Sequence, residues 1–270
     1  MGLVPHSWSY RGGRGDHVGF LPDAEGRSER SFHYFRRVNW RAGVQTGEVE
    51  ERKDLLRSSL LTLLEPQNFG DERFHHLLYI VGGRGFVEGL TEEPVRISRM
   101  RKTVVLAPAG KPFQAYPDPT LPTPYLSFWH VAVAPLNSHE YPVVEPIDRV
   151  NVKLREPAPE DGWGGFLNYF PDSPFDDLGF RVRTLLGRFP PEGTTVDTTH
   201  KLIYVEQGGG MLHYPMSSGP VTGNHIVALH SKTVVLLPAG TLYDITPDSA
   251  TGKDLELAVL SFKTMDICAR

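Results

Sequence analysis

Residues 102–110 read KTVVLAPAG, and residues 232–240 read KTVVLLPAG. An Asp follows eight residues beyond each Gly, in Pro117-Asp118 and Pro247-Asp248. Extended that far, KTVVLAPAGKPFQAYPD and KTVVLLPAGTLYDITPD agree at ten of seventeen positions without a gap. A Val/Leu run closed by Pro-Ala-Gly is the pattern of a buried strand ended by a turn. Written twice in one chain, it predicts a duplicated β unit.

The duplication extends upstream. SSLLTLLEPQNFGDERFHHLLYIVGGRG (58–85) parallels FRVRTLLGRFPPEGTTVDTTHKLIYVEQGGG (180–210). Leu-Thr-Leu-Leu matches Arg-Thr-Leu-Leu, His75 matches His200, Tyr79 matches Tyr204, and a glycine-rich segment follows in both copies. Two units emerge, near 55–136 and 178–264. ERKDLLRSSLLTLL (51–64) has leucine spacing that suits a helix, yet its match to GFRVRTLL predicts a strand. With 27 Gly and 23 Pro among 270 residues, the chain is punctuated too often for long helices. The expected organisation is an N-terminal arm over 1–50 carrying one docked strand, a first barrel over 51–140, a connector over 141–177 and a second barrel over 178–270.

Composition narrows the function classes. An apolar share of 40% supports packed cores. A formal charge of −4 points to neither a nucleic-acid polymer nor an acidic membrane. The densest basic run, Arg96 to Lys102, reads as a solvated turn between strands. The single cysteine, Cys268, allows neither an intramolecular disulfide nor a thiolate cluster. No apolar run suits a signal peptide or a membrane span, so a cytoplasmic protein is expected. No Gly-x-Ser-x-Gly, His-Glu-x-x-His or Cys/His pairing occurs.

Strand, glycine turn, hairpin, strand, Pro-x-Gly turn, strand resembles the cupin family. YIVGGRG with VVLAPAG, and YVEQGGG with VVLLPAG, look like its two motifs. The first copy is also similar to the sugar-binding sensor domain of AraC-type transcription regulators, through its glycine hairpin, Pro-x-Gly turn and late aromatic strand YLSFWH (125–130). The resemblance implies an all-β chain with two tandem jelly-roll-like barrels. Gly83 and Gly85, like Gly208 to Gly210, are read as tight hairpin turns.

Departures from the family pattern carry information too. Metal-binding cupins hold a Glu where this chain has His76 and Lys201, and a final His where it has Phe113 and Tyr243. Their His-x-His positions fall near Phe69–Glu72 and Thr194–Asp197, which contain no histidine. A transition metal needs three or four convergent ligands, so no metal or other cofactor is expected.

If the strands alternate, His76, Leu78 and Ile80 share one face, and by the resemblance that face points inward. The expected ligand-binding residues are therefore His76, Phe113, His130, Trp129 and Glu72 in the first barrel. Lys201, Tyr243 and Asp197 form the expected catalytic group in the second. Burial lowers a lysine pKa, and a tyrosine can donate a proton to a developing enolate or alkoxide. His75 and His200, matched in position, are read as structural.

The leading expectation is an enzyme of small-molecule metabolism doing metal-independent isomerase, cyclase or lyase chemistry. The second is an effector-binding protein like the AraC-type sensors but without a DNA-binding half. The third is a scaffold with both cavities filled. A metal-dependent dioxygenase is the enzymatic rival and would need His75, His76 and His130 together. The expected partner is a small-molecule ligand or substrate, with a homodimer allowed and neither nucleic acid nor membrane.

Overall fold

The computed structural model describes residues 6–8, 30–35, 56–70, 72, 74–100, 103–133, 163–169, 178–185, 187–189, 195–196, 199–215, 224–237, 242–248, 250 and 254–262. Among them all eighteen elements are strands. The chain divides into two compact units, Gly12–Arg149 with Thr264–Arg270, and Met1–Arg11 with Val150–Lys263.

The N-terminal region supplies β1 (His6–Trp8) and β2 (Arg30–Phe35). The first barrel follows with β3 (Leu56–Leu63), β4 (Gln67–Phe69), β5 (His75–Glu88), β6 (Val95–Ser98), β7 (Val104–Ala107), β8 (Phe113–Pro117) and β9 (Leu126–Val133). Its strands run in the order β2-β3-β9-β5-β8-β4, with β6 and β7 also on β5. ERKDLLRSSLLTLL thus contributes a strand, as its match to the second copy predicts.

The fourteen-residue β5 organises this barrel. Its first half pairs with β9 and β7, and its second half with β6 and β8. The register shifts between Ile80 and Gly82 where the strand bends. Gly83 sits at φ +70, and a Cβ there would strike the backbone carbonyl of Tyr125. The expected hairpin turn at Gly83 and Gly85 is thus a bend inside one continuous strand. Tertiary pairing on both sides holds the chain extended where local composition suggests a turn.

The second unit comprises β10 (Trp163–Tyr169), β11 (Leu178–Leu185), β12 (Thr195–Val196), β13 (His200–Gln207), β14 (Gly209–Pro215), β15 (Asn224–His230), β16 (Val234–Leu237), β17 (Leu242–Pro247) and β18 (Leu255–Phe262). Two sheets result, β1-β16-β13-β18-β11-β10 and β12-β17-β14-β15. β1 pairs with β16, so the N-terminal region contributes a strand to this unit as well as β2 to the first.

Each barrel encloses an apolar cluster. Leu78, Ile80, Val105, Ala107, Phe113 and Phe128 belong to the first; Ile203, Val205, Val235, Leu237, Tyr243 and Leu257 belong to the second. A fully buried Val, Leu, Ile or Phe stabilises by roughly 1.5–3 kcal/mol, so these clusters drive the fold. β7 and β16 are buried at every position, as expected of strands covered on both faces.

Hydrogen bonds explain the repeated letters. Thr103 and Thr233 are buried, and their hydroxyls accept from the backbone N–H of Ser98 and His230 at 3.2 Å each. Their carbonyls accept from Ile80 N at 3.1 Å and Val205 N at 2.9 Å. Asp118 N donates to Arg84 O at 3.0 Å, and Asp248 N to Gly209 O at 2.8 Å. Each Asp also turns its own loop: Asp118 Oδ1 accepts from Thr120 N at 3.0 Å, and Asp248 Oδ1 from Ala250 N at 2.9 Å. The repeated Thr and Asp therefore tie strand ends to the segments around the glycines. The first Pro-Ala-Gly forms the expected turn, with Lys111 N donating to Pro108 O at 3.2 Å. The second, Pro238-Ala239-Gly240, lies outside the described residues.

Candidate functional site

Inward-facing positions of the first barrel stack in rows across its strands. His76 pairs with Ala132 and Ala107, Leu78 with His130 and Val105, and Ile80 with Phe128. Because Leu78 and Ile80 lie in the interior cluster, the expected phase of β5 holds and His76 shares their face. His76 Nδ1 and His130 Nε2 are hydrogen-bonded at 2.9 Å, with ring planes 5° apart. One ring donates and the other accepts, so the pair shares one proton along that line.

Aromatic rings frame the pair. Phe69 stands edge-on to His130 at 5.3 Å and to Phe128 at 5.8 Å, and stacks on Phe113 at 5.3 Å. Phe113 meets His76 edge-on at 6.0 Å. The structure thus brings together His76, His130 and Phe113 from the expected set. Phe69, considered only as a metal-ligand position, completes the box.

Trp129 and Glu72 do not join them. Trp129 lies on the opposite face of β9, fully buried, with its indole N–H donating to Ser58 Oγ at 2.8 Å. Each face of LSFWHVAV carries three apolar residues and one polar one, so alternation gave no phase for this strand. Glu72 is exposed in the turn between β4 and β5. His75 also faces away from the pair, its Nδ1 accepting from Ala109 N of the Pro-Ala-Gly turn at 3.0 Å. That is a structural role, and it removes His75 from the trio that a dioxygenase would need.

The second barrel repeats the frame with different side chains. Lys201 pairs with Ser261 and Leu237, Ile203 with Val259 and Val235, Val205 and Arg183 with Leu257, and Leu185 with Leu255. The apolar members of these rows all belong to the interior cluster. Lys201 is half-buried and donates from Nζ to Ser261 Oγ at 3.3 Å. Tyr243 is buried in the same cluster, at the position that Phe113 holds in the first copy. Tyr214 belongs to it too, and burial pushes its phenol up from the ordinary value of 10.0. Asp197 lies outside the described residues.

Arg183 was overlooked by the sequence reading. Directly opposed residues of an antiparallel pair share a face, so its pairing with Leu257 puts it on the interior side. In the first copy that place is held by Leu61, a buried core residue. The signal was present as the mismatch between Leu-Thr-Leu-Leu and Arg-Thr-Leu-Leu.

Among the described residues no three of His, Cys, Asp and Glu converge. His76 and His130 engage each other, and their equivalents in the second copy are Lys201 and Val259. Nor is any helix among the described residues long and apolar enough to cross a membrane.

No protein-family model matches this chain. No curated protein matches it by sequence. Solved structures do match. A variant of Bacillus subtilis oxalate decarboxylase is 11% identical, covers 97% of this chain and 78% of its own, and has a TM-score of 0.60. A putative glyoxylate-induced protein from Pseudomonas aeruginosa is 12% identical, with 86% and 78% covered and a TM-score of 0.60. A variant of the salicylate 1,2-dioxygenase from Pseudoaminobacter salicylatoxidans is 13% identical, with 96% and 84% covered and a TM-score of 0.55. At such identities the likeness shows fold alone, and with the duplicated all-β frame above it gives this chain the cupin barrel fold.

Proposed function

We propose that this chain is a two-barrel enzyme of small-molecule metabolism whose second barrel performs acid–base chemistry of the isomerase, cyclase or lyase type. The observation that carries this reading is the divergence of equivalent positions on a repeated frame. Lys201 with Ser261 replaces His76 with Ala132, and Tyr243 replaces Phe113. The first interior is filled by its own rings around the histidine pair, which suits a scaffold. The second offers an amine, a hydroxyl and a phenol, and the Arg183 guanidinium, on a face whose other members are apolar. The solved structures include a decarboxylase and a dioxygenase, which supports small-molecule chemistry in this fold at a general level.

In this scheme the Lys201 amine removes a proton α to a carbonyl, and the Tyr243 hydroxyl donates to the developing enolate oxygen. Ser261 holds the Lys201 nitrogen in place. The test is solvent deuterium incorporation, followed by proton NMR, across small 2-oxo and 2-hydroxy acids with chelator-treated protein. Catalysed exchange is expected, falling at least about a hundredfold in Lys201→Met and in Tyr243→Phe. The Lys201–Ser261 hydrogen bond also suits a binder that uses the ammonium as a donor. Saturable binding of these compounds without exchange of any of them selects that second reading, an effector-binding protein.

A further inference from the structure

The smaller sheet of the second unit ends in an open edge. β15 closes the order β12-β17-β14-β15, and among the described residues only β14 pairs along its length. All seven of its residues face β14 in unbroken register, from Gly209 with His230 to Pro215 with Asn224, so no bulge twists the edge away. NHIVALH contains no Lys, Arg, Asp, Glu or Pro, the residues that ordinarily keep an open edge from pairing. The first copy differs: its counterpart β6, the strand that pairs back on β5, is four residues long and carries Arg96. The outer face beside the open edge is apolar. Ile226 is 61% exposed, Ala228 is exposed, and Met211 and Leu242, also exposed, stand on the same face of β14 and β17.

We propose that β15 pairs with β15 of a second copy of this chain, antiparallel about a two-fold axis at Val227. In that register Val227 meets its own counterpart, Ile226 lies opposite Ala228 of the second copy, and the reverse pair repeats across the axis. Two four-stranded sheets then become one continuous sheet, and the open backbone groups of each edge find partners. A second copy suits this edge better than an unlike chain does. No position of NHIVALH carries a fixed charge that would select another partner, and in the two-fold register every residue opposite lacks one too. Two Ile–Ala contacts form on the outer face and remove apolar area from water. Identical patches that meet about a two-fold close the assembly at a dimer. The interior side of β15, where Leu229 packs in the core cluster, is untouched, so the pairing does not rest on the acid–base reading.

The test is sedimentation velocity on the full chain over a range of concentrations, with amide hydrogen exchange as a second readout. A reversible dimer is expected. In it the outward amides of β15, every second one along the strand, exchange at least about tenfold more slowly than in dilute protein. Ile226→Lys with Ala228→Lys sets like charges opposite each other and is expected to raise the dissociation constant at least about tenfold. Both positions are exposed, so this variant is expected to fold, which circular dichroism checks. Ile226→Lys with Ala228→Glu sets opposite charges across the axis and is expected to keep the dimer. Leu242→Lys, on the same face but two strands in from the edge, is expected to keep it too. A chain that stays monomeric up to its solubility limit overturns the proposal, as does a dimer whose β15 exchange ignores concentration. Survival of the dimer in the double lysine variant, or equal loss in the Lys/Glu variant, overturns the register. Dissociation by Leu242→Lys alone assigns the contact to the sheet face and overturns edge pairing.

Discussion

Asp118 shows how one repeated letter is tied to its surroundings. Its carboxylate accepts from the Thr120 hydroxyl at 2.6 Å and from the Thr120 N–H, and meets Arg84 Nε at 2.9 Å and Arg96 Nη2 at 3.8 Å. The Thr120 hydroxyl bond, then its backbone bond, hold the carboxyl below the ordinary 3.8, with Arg84 and Arg96 adding to them against the opposing effect of desolvation. A carboxylate with a lowered folded pKa stabilises the protein above its unfolded value and loses that contribution as pH falls through the folded one. The melting temperature is therefore expected to drop as pH falls below 3.8. Asp118→Asn keeps an oxygen acceptor without the charge, and its melting temperature should be lower at neutral pH and less dependent on acid. An acid limb as steep in Asp118→Asn as in the native protein would falsify this assignment.

At the scale of the element, β5 carries the sharpest conformational demand. Gly83 combines a left-handed φ with a close approach to the Tyr125 carbonyl, and Gly208 repeats both, at φ +78 against the carbonyl of Asp254. Gly83→Ala is expected to destabilise by about 2–4 kcal/mol, since strain and steric conflict act together. Urea unfolding measures it, and a loss below about 1 kcal/mol would show that the bend relaxes freely. Much of this element was legible beforehand: alternation put His76, Leu78 and Ile80 of HHLLYI on one face, and the resemblance to the cupin family made that face the inward one. The bend was not, because a glycine run looks the same in a hairpin and in a strand that crosses between two sheets. Trp129 was misplaced for a related reason. LSFWHVAV is buried on both faces, so only its pairing with neighbouring strands, such as His130 with Leu78 and Phe128 with Ile80, reveals which residue points inward. Arg183 was hidden by its neighbours, since the match of Thr-Leu-Leu drew attention away from the one position that differed.

Across the whole molecule, duplication preserved the hydrogen-bonded frame and let the interiors diverge. Thr103 and Thr233 make the same backbone bonds, whereas Leu61 and Arg183, or His76 and Lys201, share only their places in the ladder. One departure from the repeat concerns the frame itself: the outer edge of β16 is covered by β1, through His6 with Leu236, Ser7 with Val235 and Trp8 with Val234. An uncovered edge strand exposes a row of backbone donors and acceptors to water and to other chains. Deletion of residues 1–11 is therefore expected to raise amide hydrogen exchange in Val234–Leu237 at least tenfold and to lower the solubility of the protein on heating. Exchange in β3, β5 and β9 should stay unchanged, because none of these strands pairs with β1. Unaltered protection of β16 in the shortened chain would mean that this edge is closed by something other than β1, whereas selective loss there would make the N-terminal strand a working part of the second barrel.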